Sequence, residues 1–478
     1  MVSDEIWKGL FTPESVAVVG ASNNPGSWGG RITSNLLASK NRPVYAVNPT
    51  ATEIMGLPVY KKLTDIPDRI DLVAIAVRAS LVAPTLRECI QKGVKSVLVI
   101  AGGFGETGEE GAKAEAEIVK IANSGGIRFI GPNTMGHLDT SSQMNSLSFI
   151  DSALPGPVAL IAQSGNMGTR IMHNAMSQGI GFSKFVCCGN EASIRLEDYL
   201  EYFARDPETK VIMLYIEGLR DARRFLKVAR EITAIKPVIA MKSGGTSNSA
   251  RASRSHTGAI AGSDAVYSAA FKQSGVIRVE DDEELCDITI ALLNQPLPRG
   301  KKVGILTMGG GLGVVAAECC ENEGLEIAEL DSVTLKKLDD MLPSRWSHGN
   351  PVDLVGSNVA HSADIMTTLW ILLEDKNLDA LISNTWFGRM DGRFRPGSEK
   401  DGAEKRKKDE ESVRQFCLEV KKYGIPFFMV GSPPQSAADI YAYSLFHREG
   451  FSVFPQPRRA ARTMRHLCWY QNYLETNK

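Results

Sequence analysis

Residues 158–181 read VALIAQSGNMGTRIMHNAMSQGIG, and residues 303–326 read VGILTMGGGLGVVAAECCENEGLE. Written one under the other, the two stretches share a plan. Gly165 falls on Gly310, Gly168 on Gly313 and Gly179 on Gly324. Each is a short apolar run, a glycine turn, a helix-length segment and a glycine stop. Each is followed by an Asn-containing motif, GNEASI at 189–194 and NPVDLVG at 350–356, and by further apolar runs. We read an internal duplication. A repeated strand–turn–helix unit predicts parallel sheets covered by helices.

The same alternation runs through the rest of the chain. Ahead of the repeat, SVAVVGAS, PVYAVNP, DLVAIAV, KSVLVIAGG and IRFIGPN read as strands, with helices expected over 79–92 and 106–124. The segment DSALPGPV, rich in Pro and Gly, marks a boundary near 150–157, and QPLPRGKK at 295–302 reads as a linker. The expected class is α/β. A Rossmann-like domain spans residues 1–150, and two flavodoxin-like parallel-sheet domains follow over 151–295 and 300–478. Residues 390–412, MDGRFRPGSEKDGAEKRKKDEES, read as a solvated charged insertion.

Composition narrows the function. The chain has 478 residues, 43% apolar and 23% charged, which is ordinary for globular domains. Lys and Arg number 54 against 55 Asp and Glu, a net charge of −1. A protein that works by neutralising nucleic-acid phosphates would be more basic. No apolar run reaches the roughly 18–20 residues of a membrane helix. The start, MVSDEIWKGLF, lacks the basic and apolar regions of a signal peptide. The eight cysteines form no CxxC and no zinc-type cluster. The expectation is a cytoplasmic, reduced chain that holds no metal itself and engages neither nucleic acid nor membrane.

The stretch GASNNPGSWGG (20–30) lies between a strand and a helix. Glycines there let backbone approach a phosphate, and a helix N-terminus favours the anion. The spacing is not GxGxxG. The second strand ends in Val47-Asn48-Pro49, where a nicotinamide site would place an acid for the ribose. Coenzyme A, with a pyrophosphate and a 3′-phosphate, fits such a pocket better. The strand ends Ala76-Val77-Arg78, Gly102-Gly103-Phe104 and Gly131-Pro132-Asn133 fall at the carboxyl edge, where ligands of open α/β sheets lie. The second glycine turn, Ser164-Gly165-Asn166-Met167-Gly168, offers N–H groups and a hydroxyl as a second anion site. Read by itself, it is equally a Ser-capped helix start.

KSGGTSNSARASRSHTG (242–258) follows a strand that ends at Lys242. By itself it is a polar surface loop containing a histidine. Neutral imidazole is also a nucleophile near pH 7, and a loop could carry a phosphorylated His256 between two sites. Arg251 and Arg254 could neutralise a phosphoryl group. The run LYIEGL (214–219) places Glu217 at a strand end, where it could hold one imidazole nitrogen and leave the other free to attack.

Taken together these motifs resemble the NDP-forming acyl-CoA synthetases (acetate–CoA ligase, ADP-forming), relatives of succinyl-CoA synthetase. The resemblance is to the α subunit and spans about residues 8–465. It is carried by VAVVGASNNPGSWGG, VYAVNP, FIGPNTMG, ALIAQSGNMG, GNEASI, YIEGL, KSGGTSNSARASRSHTGAIAG and NPVD. It implies that His256 is a phosphohistidine stabilised by Glu217. It implies that Ser164, Gly165 and Asn166 hold phosphate or acyl phosphate. It places Gly20, Ser22, Pro25, Gly26 and Ser27 on the CoA-phosphate turn, with Asn48, Pro49, Val77, Arg78, Gly102, Gly103 and Asn133 around it.

The implied reaction is acyl-CoA + phosphate + ADP ⇌ carboxylic acid + CoA + ATP. No ATP-grasp region and no GxxxxGK[ST] motif is found in the chain. The resemblance therefore implies a separate ATP-grasp β subunit that binds ADP or ATP with Mg²⁺, in an α2β2 assembly. Leu312 stands where the family's third-domain turn would carry proline. Two other readings are a CoA-sensing scaffold that has lost the relay and the CoA-binding part of a protein acetyltransferase. The first needs neither His256 nor Glu217; the second needs a further domain.

Overall fold

The computed structural model describes residues 2–244, 264–354, 362–384, 403–431 and 437–477. The chain divides into two compact units, Met1–Asp282 and Glu283–Lys478. The division falls at the start of the helix Asp282–Asn294, ahead of the QPLPRGKK segment.

Among the described residues, the first unit holds two sheets. One is built from β1 (Val16–Val19), β2 (Val44–Val47), β3 (Glu53–Ile54), β4 (Leu57–Tyr60), β5 (Leu72–Ile75), β6 (Ser96–Val99) and β7 (Arg128–Ile130). Its order is β3-β4-β2-β1-β5-β6-β7. All neighbours are parallel except the β3–β4 hairpin. The order reverses direction at β1, which leaves a crevice at the carboxyl ends of β1 and β5. Strands β5 and β6 are buried along their whole length, because helices cover both faces of a parallel sheet.

The second sheet contains β8 (His137–Asp139), β9 (Met144–Asn145), β10 (Pro155–Ala162), β11 (Phe182–Cys187), β12 (Val211–Ile216), β13 (Val238–Lys242) and β14 (Ile277–Val279). Its order is β14-β13-β12-β10-β11-β8-β9. The five strands β10 to β14 are parallel; β8 joins β11 antiparallel, and β9 closes a hairpin on β8. Strands β8 and β9 therefore lie upstream of the Pro/Gly segment 150–157 but join, through the pairing of β8 with β11, the sheet that follows it. A buried lysine ties this edge down. Lys184 on β11 sits 3.2 Å from Asp139 on β8 and 2.8 Å from Asp206, with side chains 4%, 1% and 8% exposed.

In the second unit, β15 (Lys302–Thr307), β16 (Glu326–Ile327), β18 (Ala380–Asn384), β19 (Phe427–Val430) and β20 (Val453–Phe454) run parallel in the order β16-β15-β18-β19-β20, and β17 (Val352–Asp353) also pairs with β15. This is the order of β11-β10-β12-β13-β14, so the sequence repeat is a repeat of topology. The helices Gly165–Ser177 and Gly310–Asn322 are both 13 residues long and start on the aligned glycines. Gly179 and Gly324 follow them at φ +81° and +73°, the left-handed stop that glycine adopts without strain.

One expectation is corrected. Residues 403–412 of the charged run are not an irregular insertion but the first turns of the helix Ala403–Lys421. Its apolar face begins only at Val413, continuing with Cys417 and Val420, so the charged turns gave no helical period to read. Residues 390–402 lie outside the described residues. No described helix is long and apolar enough to cross a membrane.

Candidate active site

The first glycine turn leaves β1 at Gly20, whose φ of +91° favours glycine. A side chain there would run into the carbonyl of Ala76 on the neighbouring strand end. The chain then turns into the helix Trp28–Ala38, capped by Ser27. The Ser27 hydroxyl accepts from Gly30 N–H at 3.1 Å and donates to the Asn24 carbonyl at 2.8 Å. Gly29 lets this helix sit directly on the Gly20 carbonyl.

The second turn follows β10. Gln163 directly follows the strand, and Ser164 is the N-cap of the helix Gly165–Ser177, but its side chain makes no capping bond. Gly165 is held against Met135, leaving no room for a β-carbon. Both helices therefore direct first-turn N–H groups, which have no partner inside a helix, toward one place.

That place is a single cavity of about 700 Å³. Gly20, Ser22 and Ser27 line it from the first turn. Val77, Arg78, Gly102 and Asn133 line it from the ends of β5, β6 and β7, and Ser164, Gly165 and Asn166 from the second turn. The volume suits an elongated ligand with an anionic group at each turn.

Other expected residues stand elsewhere. Pro25 and Gly26 are exposed and are not among the residues lining the cavity. Asn48 closes its own turn instead: its oxygen accepts from Thr50 and Ala51 N–H, and its amide donates to the Ala21 carbonyl. Pro49 is exposed. Gly103, at φ +99°, donates its N–H to Glu106 at 2.5 Å and is not part of the lining. His256, Arg251 and Arg254 lie outside the described residues.

Glu217 follows β12 and does not itself line the cavity, but its backbone is fastened to a residue that does. The Gln163 oxygen accepts from Glu217 N–H at 2.5 Å and from Gly218 N–H at 3.0 Å. Its amide nitrogen donates to the Gly218 carbonyl at 2.7 Å and to Glu191 at 2.8 Å. All four hydrogen-bonding positions of this amide are thus filled. Lys242, at the end of β13, lies over the Tyr267 ring at 4.5 Å. Burial draws its pKa down, while the nearby Asp264 and Glu217 carboxylates hold it up.

Several lining residues escaped sequence reading. Gln163 carries one legible signal, a polar residue closing an otherwise apolar strand. Trp28 and Phe149 meet edge to face at 5.5 Å, with Arg31 4.6 Å over Phe149. The two aromatic rings remain 41% and 49% exposed, and both line the cavity. Thr134 and Met135 complete its floor.

Comparison with known proteins agrees with this architecture. Residues 14–139 match a family model described as a CoA binding domain, and residues 155–292 one described as a succinyl-CoA ligase like flavodoxin domain. The chain is 44% identical over 374 residues to the α subunit of acetate–CoA ligase [ADP-forming] II of Pyrococcus furiosus, covering 78% of this chain and 81% of that one. It is 40% identical over 351 residues to the 4-hydroxybutyrate–CoA ligase [ADP-forming] of Nitrosopumilus maritimus, covering 73% of this chain and 50% of that one. Among solved structures, the dinucleotide forming acetyl-coenzyme A synthetase 1 of Ca. Korarchaeum cryptofilum, in complex with phosphate and ADP, superposes with a TM-score of 0.86 at 32% identity, covering 98% of both chains. With two glycine turns at helix N-termini lining one cavity and α-subunit relatives matched over most of their length, this chain belongs to the ADP-forming acyl-CoA synthetases, as a member of the α-subunit type.

Proposed function

We propose that this chain binds CoA and carries the phosphoryl relay that interconverts acyl-CoA, phosphate and ADP with the carboxylic acid, CoA and ATP. One observation carries the reading: the Gly20–Ser27 turn and the Ser164–Asn166 turn, each at a helix N-terminus, line one cavity. The first favours the phosphates of CoA, and the second favours inorganic phosphate or an acyl phosphate. On this reading residues 1–150 hold CoA, 151–295 carry the phosphoryl chemistry, and 300–478 contact a partner.

A phosphate oxygen attacks the thioester carbonyl carbon; the C–S bond breaks, and CoA leaves as the thiol after gaining a proton. The His256 imidazole then attacks the phosphorus of the acyl phosphate, and the carboxylate leaves with the P–O electron pair. A β-phosphate oxygen of ADP next takes the phosphoryl group, and the P–N bond breaks. Glu217 accepts the N–H of the second imidazole nitrogen and fixes the tautomer. Arg251 and Arg254 offset the charge of the phosphoryl group. The covalent relay divides one transfer between two easier steps, with positioning and charge stabilisation supplying most of the acceleration.

ADP and its Mg²⁺ are assigned to a separate ATP-grasp β subunit in a cytoplasmic α2β2 complex. The α-subunit designation of the Pyrococcus furiosus relatives supports a second subunit. The relatives differ in their acid, acetate or 4-hydroxybutyrate, so a substrate panel with the reconstituted complex identifies the acid used here.

The test is to incubate the chain and its β subunit with [γ-³²P]ATP and Mg²⁺. The expected result is an acid-labile, base-stable label that disappears in His256→Ala. A wild-type complex that takes no label and makes no acyl-CoA would leave a CoA-binding scaffold without catalysis.

A further inference from the structure

The GNEASI motif has no part in the steps above, yet it stands between the two halves of the cavity. Its turn is held in an uncommon conformation. Gly189 and Glu191 both have positive φ, +59° and +54°, and the second is costly for a residue with a β-carbon. Two neighbouring side chains of this turn serve opposite sides.

Asn190 reaches the CoA side. Its amide nitrogen donates to Glu106 at 2.5 Å and Glu115 at 2.8 Å, and its oxygen accepts from Asn133 at 3.3 Å. Glu106 also receives the N–H groups of Gly103 at 2.5 Å and Phe104 at 3.2 Å. Glu115 receives Gly105 N–H and the Arg220 guanidinium, each at 3.2 Å. Burial opposes charge on Glu106, but the Asn190 amide and these backbone donors outweigh it and hold the carboxyl below its usual range. Asn190 thus braces the turn that presents Gly102, together with Asn133, to the cavity.

Glu191 reaches the phosphoryl side. It is buried, accepts from the Gln163 amide at 2.8 Å, and accepts from Leu196 N–H at 3.4 Å. Gln163 in turn grips the backbone of Glu217 and Gly218. Without Glu191, the Gln163 amide loses its one side-chain acceptor among these contacts, and the Glu217 turn is held less firmly.

We propose that Asn190 and Glu191 are a pair of positioning residues with divided duties: Asn190 holds the Gly102–Phe104 turn for CoA, and Glu191, through Gln163, holds Glu217 for phosphoryl transfer. Neither touches the reacting atoms. The Glu191 half rests on the role given to Glu217 above; the Asn190 half rests on the placement of CoA against the Gly102 side of the cavity.

The test compares Asn190→Ala, Glu191→Ala and Glu191→Gln in the complete complex with its β subunit. Two quantities are read: KM for CoA in the acyl-CoA-forming direction, and the rate of His256 labelling by [γ-³²P]ATP without CoA. Asn190→Ala is expected to raise KM for CoA about tenfold and leave labelling within about twofold. Glu191→Ala is expected to slow labelling about tenfold with KM for CoA nearly unchanged. Glu191→Gln, which keeps an acceptor for Gln163, recovers most of the lost rate. Gln163→Ala removes the same contacts from the other side and serves if Glu191→Ala does not fold. Loss of both quantities in proportion in every variant would make the motif structural only and overturn the proposal. A Glu217→Gln control separates the two readings: if it labels at the wild-type rate, the role of Glu217 has failed. If it loses label while Glu191→Ala and Gln163→Ala keep it, the positioning pair has failed.

Discussion

Ser27 and Ser164 stand at the N-termini of two helices that open on one cavity, yet only Ser27 uses its hydroxyl to cap its helix. Equivalent substitutions should therefore separate. Ser27→Ala is expected to lose about 1 kcal/mol of stability with its cap. Ser164→Ala should unfold at the wild-type temperature but lose ~10–100-fold in turnover, as a group donating a hydrogen bond to a charged phosphate or acyl phosphate would. Thermal unfolding beside steady-state rates with phosphate varied checks both. Equal losses of stability in the two variants would contradict the difference in capping.

Gly20→Ala should damage the CoA half alone. Its φ of +91° and the adjacent Ala76 carbonyl leave an alanine strained by roughly 1–3 kcal/mol, so the turn must shift away from the strand ends. The expected outcome is a raised KM for CoA with normal labelling of His256 by ATP. A KM equal to wild type would mean that this turn lies outside the CoA contact.

Glu191 predicts a pH signature. Burial pushes its carboxyl from the ordinary 4.5 up to about 7; the Gln163 amide opposes that, Glu197 adds to it, and Arg220 opposes it. Between those two values the folded chain keeps a proton that the unfolded chain has lost. Stability from this group is full below about 4.5 and is lost as pH rises to about 7. Glu191→Gln carries no such proton, so its unfolding temperature should gain on wild type from pH 5 to pH 8, by on the order of 3 kcal/mol in stability. Parallel stability curves would show that Glu191 is ionised throughout.

Lys184 offers a structural counterpart. It is enclosed by Asp139 and Asp206, and Lys184→Met would leave two buried carboxylates together. A loss of about 3–5 kcal/mol is expected, measured by denaturant unfolding. Adding Asp139→Asn should restore part of it by removing one of the uncompensated charges.

The parallel sheets were legible because their signals are local: apolar runs, glycine turns, and a repeat whose glycines coincide. The cavity was legible where it is made of strand ends and helix starts, as at Gly20, Ser27, Arg78, Gly102 and Ser164. It was not legible where a side chain's direction decides. Asn48 lies at the strand edge with its amide engaged in its own turn, a pairing that its position in the sequence does not show. Gln163 joins residues 28, 54 and 55 positions away, a relationship that no local pattern carries. The helix Ala403–Lys421 was missed because its opening turns are charged and its apolar stripe starts late.

Strands β8 and β9 carry a consequence for how this enzyme can be divided. Residues 137–145 finish one sheet's stretch of sequence but form the edge of the next sheet. A cut at residue 150 would part that edge from its sheet and bare, in the downstream piece, the unpaired groups of β11, an invitation to aggregate. The two halves of the cavity are stitched by exchanged backbone. They should be inherited, transplanted and purified as one piece, however readily their sequence signatures come apart.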